Sequence, residues 1–128
     1  TLHVYYANYL KFCERARTDW LRGMKVSQSE LLSKDQGFVV TGIKGRYVSP
    51  ARLDDLLTVT CIPVKVRFAS LKIFQQVFNQ DGSLLFEFEC SIAFLDMQSG
   101  KPSTMPDAAL EYIRGFIPED ASRYEVKI

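Results

Sequence analysis

Tyr9, Leu10, Phe12, Cys13, Ala16, Trp20 and Leu21 recur at three- and four-residue spacing, while Lys11, Glu14, Arg15, Arg17, Asp19 and Arg22 fill the gaps between them. That alternation predicts an amphipathic helix over 7–22, running to about Met24, with its charged residues on the wet side. Glu14 and Arg17 are an i,i+3 pair on that side. Asn8 can cap the start, and Gly23 lies where a left-handed stop costs least. Ahead of the helix, Leu2–Tyr6 is a short β-like run that meets Ala7 with no turn residue between. The junction is odd, because a strand turns back into a packed helix only through a connection of several residues. Ser27-Gln28-Ser29-Glu30 has the capping-box arrangement and predicts a short helix to about Lys34.

From Phe38 onward the pattern changes to strands. Phe38–Val48 is one strand, with bends or bulges expected at Gly42 and Gly45, and it ends at Ser49-Pro50. Leu56–Val66 is a second, in which Pro63 marks an edge or a bulge. Phe68–Asn79 and Ser83–Met97 are two long strands joined through Asp81-Gly82, a strong hairpin signal. In the last strand Leu84, Phe86, Phe88, Cys90, Ile92 and Phe94 share one face, and Glu87, Glu89 and Ser91 share the other. Pro106–Phe116 reads as a final helix with Ala109, Leu110, Ile113 and Phe116 on its buried side. Residues 118–128 show little pattern and read as a tail. One long helix against one curved antiparallel sheet is an α+β layer arrangement, in a single domain over 1–128. Trp20 and Phe12 are expected between helix and sheet, against some of Phe86, Phe88 and Phe94.

With 128 residues and 47% hydrophobic content, one core is enough. A formal net charge of +1 gives no case for nucleic acid or an anionic membrane surface. No apolar run is long enough to span a bilayer, and the letters contain no secretory signal. Cys13, Cys61 and Cys90 are odd in number, form no CxxC pair, and each sits in an apolar pattern. They read as buried free thiols in a reducing, cytoplasmic setting. His3 is the single histidine and has no ligand set around it, so no metal site is expected.

Three strings carry more than a pattern: Ala7-Asn8-Tyr9 with Glu14-Arg15-Ala16-Arg17, then Pro50-Ala51-Arg52-Leu53-Asp54-Asp55, then the Asp81-Gly82 hairpin with its aromatic strand. Together they resemble the hot-dog-fold acyl-CoA thioesterases of the 4-hydroxybenzoyl-CoA thioesterase and YbgC type, over nearly the whole chain. The resemblance implies a hot-dog fold, a curved antiparallel sheet wrapped around a long central helix. It implies homodimers, or tetramers built from them, whose sheets join edge to edge through the strand at 38–48. It also implies a CoA thioester as substrate, no cofactor, and a site at the dimer interface near the start of the central helix. Hydrolysis in the family looks to depend on an aspartate in a D-x-D-xx-G loop ahead of that helix, often with the histidine of a V-Y-H-A-N-Y string.

This chain reads Val4-Tyr5-Tyr6-Ala7-Asn8-Tyr9 and has neither residue there. Two arrangements follow. Tyr6 stands where the family often has His, with the aspartate upstream of Thr1 or lost; or a loop of about ten residues, with Asp and His, belongs between Tyr6 and Ala7. The missing turn favours the second. In either case the free N–H groups of Ala7, Asn8 and Tyr9 are the expected oxyanion and substrate donors. Phe38 and Val39 are candidates for the acyl slot, and core packing explains them equally well. Lys65, Arg67 and Lys72 are candidates for the CoA phosphates, against the alternative of strand-edge charges that discourage aggregation. Asp19, Asp54 and Asp55 are poor substitutes for the carboxylate, the first on the helix's polar side and the others turn formers. Arg52 is expected to tie its own loop through Asp54 or Asp55. The leading expectation is hydrolysis of short or medium acyl-CoA or aryl-acyl-CoA thioesters. The alternative is a non-catalytic hot-dog module that binds acyl-CoA, acyl carrier protein or a membrane-associated cell-envelope partner. A dehydratase of the same fold would need a histidine loop that the chain does not show.

Overall fold

Alternation along the strands sorts the side chains into two faces, and one of them closes over a helix in the computed structural model, which describes residues 6–24, 31 and 34–127. The elements are α1 (Tyr6–Leu21), β1 (Gln36–Tyr47), β2 (Thr58–Val59), β3 (Ile62–Arg67), β4 (Ser70–Phe78), β5 (Leu84–Asp96) and α2 (Asp107–Phe116), then a 3₁₀ turn at Ala121–Arg123. The sheet is antiparallel throughout, in the order β1-β5-β4, with β2 and β3 end to end along the far side of β4.

The β4–β5 hairpin forms where Asp81-Gly82 predicts it. Asn79 Oδ1 accepts the backbone N–H groups of Asp81 and Ser83, both at 3.0 Å, and Gly82 takes φ +78°, which a side chain would resist. β1 pairs with β5 from Gln36–Asp96 to Tyr47–Phe86 with one irregularity, between Val40 and Gly42. Gly45 stays in register opposite Phe88, so only the first of the two expected interruptions exists. The strand expected over 56–66 is split at Thr60 and Cys61. The Thr60 hydroxyl accepts the Gln76 N–H at 2.9 Å, and Pro63 is buried next to a second irregularity, before Lys65.

Leu71, Ile73, Gln75 and Val77 of β4 and Phe86, Phe88, Cys90, Ile92 and Phe94 of β5 form the inner face, all buried. α1 lays Tyr9 and Cys13, one turn apart, into that face, with the Tyr9 ring stacked on Phe86 at a centroid distance of 5.0 Å. Phe12, expected in this layer, is 38% exposed, because the buried stripe of α1 runs along Tyr9 and Cys13 and leaves Phe12 on its flank. Trp20 does not meet the sheet aromatics as expected. Its ring partners are Tyr112 at 5.5 Å and Phe116 at 5.8 Å, both on α2, and the Tyr112 hydroxyl donates to the Trp20 carbonyl at 2.6 Å. A Cβ on Gly23 would run into that hydroxyl, so the glycine after α1 is required by close approach of the second helix.

Tyr6, expected at the end of a strand, is the first residue of α1, and Tyr6 and Ala7 follow one another inside the helix. The rest of the expected strand over 2–6 lies outside the described residues. So does most of the short helix over 27–34, of which Leu31 is helical and buried. The tail is part of the fold: Tyr124 packs against Phe74 with centroids 5.8 Å apart, and Val126 is buried. Among the described residues no helix is long and apolar enough to cross a membrane.

Candidate functional site

An α-helix leaves its first N–H groups without internal partners, and they carry the positive end of its dipole. Because α1 begins at Tyr6, these donors start one residue earlier than expected, and Ala7 and Asn8 remain in the first turn. Asn8 is exposed. Tyr9, named for its backbone N–H, has a fully buried side chain, with its hydroxyl accepting the Ala51 N–H at 3.1 Å. Burial raises the Tyr9 phenol above its ordinary range. The start of α1 is thereby clamped to the 50–55 loop.

That loop is tied within itself and to Gln80. Asp55 Oδ2 accepts the backbone N–H of Arg52 at 2.8 Å, and Asp55 Oδ1 accepts Gln80 Nε2 at 3.1 Å. Gln80 in turn accepts the Leu56 N–H at 3.0 Å, and Asp54 takes the left-handed φ of +73°. The Arg52 backbone bond, then Gln80, holds the Asp55 carboxyl below its usual range. Asp55 is thus committed to shaping the loop, and the tie to Arg52 runs through its backbone, not its guanidinium. Asp19 pairs with Arg22 at 3.4 Å on the exposed side of α1. Tyr6 and Ala7 are adjacent residues in the first turn of α1, and no Asp or His stands between them in the sequence.

Phe38 and Val39, proposed together for an acyl slot, point in opposite directions, as neighbours on a strand must. Phe38 turns inward, its ring 4.9 Å from that of Phe94. It lines a cavity of about 440 Å³ between α1 and β1, with Val40, Ile92, Leu21 and Leu31 as its apolar wall. Val39 pairs with Ala93 and belongs to the outer face.

Arg17 also lines this cavity, and the helical pattern did not single it out. It is half-buried, and its Nη1 donates to Gln75 Oε1 at 2.9 Å while its guanidinium lies 5.6 Å from the Phe88 centroid. Gln75 is fully buried and donates to the carbonyls of Cys13 at 2.9 Å and Thr60 at 3.3 Å. The one sequence signal was a glutamine on the apolar side of a strand, a polar group that needs partners once buried.

Lys65, Arg67 and Lys72, grouped in the sequence around the strand junction at Phe68, share one site. Antiparallel register sets Lys65 opposite Lys72 and Arg67 opposite Ser70, and all four line one open hollow of about 270 Å³ with Thr41 and Ser91. Lys72 has Glu89 at 3.9 Å. This hollow is on the outer face, which also carries Arg46 bonded to Glu87 (Nε at 3.2 Å) and Gln76 donating to Glu87 at 3.1 Å.

The three cysteines are free. Burial pushes the Cys13 and Cys61 thiols up to about 12 and raises Cys90 in the same direction, against a smaller opposing pull from Arg17. Thiols held this far from thiolate are poor nucleophiles. Among the described residues no group of His, Cys, Asp and Glu is arranged to hold a metal ion.

A sheet of this order around α1 is the hot-dog fold. Residues 1–113 match the model of the Thioesterase-like superfamily, and the chain belongs to that family. Among its relatives is the acyl-CoA thioester hydrolase YbgC of Escherichia coli O6:H1, 38% identical over 103 residues, which are 80% of this chain and 77% of the relative. A probable thioesterase from Bartonella henselae superposes with a TM-score of 0.71 at 30% identity, over 81% of this chain and 86% of that one. The Staphylococcus aureus protein SAV2348, solved in complex with CoA, superposes with a TM-score of 0.83 at 16% identity, covering 100% of this chain and 85% of that one, a likeness of fold.

Proposed function

We propose that this chain acts on acyl-CoA thioesters, hydrolysing the thioester to a carboxylic acid and free CoA thiol. The observation that carries the reading is the 38% identity to an acyl-CoA thioester hydrolase over 80% of the chain. What supports it is the first turn of α1, whose amides lack partners within the helix and suit a developing oxyanion, an apolar cavity beside Phe38, and a cluster of cations for phosphates. Water adds to the thioester carbon, the C–S bond breaks, and the sulfur leaves as the CoA thiol. The step needs a carboxylate to attack that carbon or to activate the water.

The cavity and the cation hollow lie on opposite faces of one sheet. A CoA thioester that used both on a single protomer would have to pass through the strands or bend round the β1 edge. We therefore assign the acyl cavity and the phosphate site of one ligand to two protomers. β1 is the exposed edge of the sheet, and Val40, Ile43 and Tyr47, on the face turned to α1, stay exposed. Such an apolar edge is a liability in a monomer and suits two-fold pairing. A monomer in sedimentation equilibrium at micromolar concentration would remove the shared site.

A second reading, an acyl-CoA-binding module without turnover, is favoured by the unbroken helix through Tyr6 and Ala7 and by the commitment of Asp55. Release of CoA thiol from a medium-chain acyl-CoA, followed beside calorimetric binding, separates the two. Turnover supports the hydrolase, binding without release supports the module, and no binding defeats both.

A further inference from the structure

We infer that the cavity between α1 and β1 selects acyl groups that end in a carboxylate, and that Arg17 determines this specificity. The inference rests on the acyl-CoA reading. Arg17 is a half-buried, permanently charged group whose hydrogen-bond partner among the described residues is the neutral amide of Gln75. No carboxylate of the described residues lies within ion-pair distance of it, although Glu14 lines the same cavity one turn away. Glu14 is exposed, so solvent screens it. A partly desolvated guanidinium with a neutral partner gains most from an anion, and its planar fork matches a carboxylate with two parallel bonds.

Arg17 is also fixed in place. Gln75 holds one of its nitrogens and is itself held by two backbone carbonyls, while Phe88 supports the guanidinium. An immobile cation costs little ordering when a ligand arrives. The apolar part of the wall, Leu21, Leu31, Phe38, Val40 and Ile92, suits methylenes. The ligand that matches both parts is an ω-carboxylated acyl chain, with its apolar stretch along β1 and its carboxylate at Arg17. Arg22, the cavity's other arginine, is exposed and paired with Asp19.

The test is calorimetric titration of the full chain with hexanoyl-CoA and with adipyl-CoA, which has the same chain length and a terminal carboxylate. Wild type should bind adipyl-CoA about tenfold more tightly, the worth of one charge-assisted bond pair. Arg17→Met should remove the preference while leaving hexanoyl-CoA affinity within about twofold, and Arg17→Lys should keep part of it. A purely structural Arg17 would move both affinities together. Equal binding of the two thioesters by wild type overturns the inference without any variant and leaves the acyl-CoA reading standing. Failure to bind either thioester defeats that reading, and the inference with it.

Discussion

The two faces of the sheet come from the same strands and share no chemistry. On the inner face Phe86, Phe88, Cys90, Ile92 and Phe94 bury against α1, and the one polar side chain among them, Gln75, has every bond filled. On the outer face the residues between them, Glu87 and Glu89, meet Arg46, Gln76 and Lys72, and the cations Lys65 and Arg67 stand open beside them. The inner face holds the fold together, and a single cation inside it is therefore costly unless it has a task. The outer face tolerates charge cheaply, so its cations signal function only because register gathers three of them into one hollow.

The largest expected effect tests the inner face at its centre. Phe86→Ala removes the ring beneath Tyr9 and should cost about 3–5 kcal/mol in urea unfolding, as for a large core aromatic. A loss well below that would mean that α1 does not depend on this layer. Gln75→Ala should come next, at about 2–3 kcal/mol, since it leaves the Cys13 carbonyl and Arg17 without their partner in a buried setting. A neutral result there would show that water replaces the amide.

The third way to break the comparison is pH. Cys13 and Cys61 ionise near 9 when unfolded and near 12 when folded, so the native state keeps its protons longer as pH rises. Their contribution to stability is fully present below pH 9 and is lost as pH climbs from 9 toward about 12. Urea midpoints should fall between pH 8.5 and 10.5 in wild type, and fall less steeply in Cys13→Ala. The smallest effect belongs to the outer face. Glu87→Gln should cost about 1 kcal/mol, because Arg46 can turn to solvent and lose little. A cost equal to that of Gln75→Ala would erase the distinction between the faces.

Much of this was legible in the letters. The period of two along 84–94 gave both faces of β5 directly, and Asp81-Gly82 gave the hairpin, because strand alternation and turn geometry are local properties. Cys13 and Cys90 were legible as buried thiols for the same reason, while Cys61 is only partly buried. α1 was legible as a helix, yet not in how it sits. Phe12 and Arg17 both lie at the borders of its apolar stripe, and a helical pattern cannot say which border meets a neighbour. The outcome reversed the expectation: the phenylalanine is at the surface and the arginine faces inward.

What the sequence determined by itself is therefore the set of elements, the two-faced strands and the family strings at Ala7–Tyr9, Glu14–Arg17 and Pro50–Asp55. What only the tertiary structure decided is which residues become neighbours. Lys65 and Lys72 meet because β3 and β4 pair in one register out of several the pattern allows, and a shift of one residue would turn Lys72 inward. Arg17 meets Gln75 because α1 crosses β4 at Cys13, a contact spanning 58 positions of the chain. Local spacing is written in the backbone's own periods, whereas contacts between distant residues are fixed only when every layer packs at once.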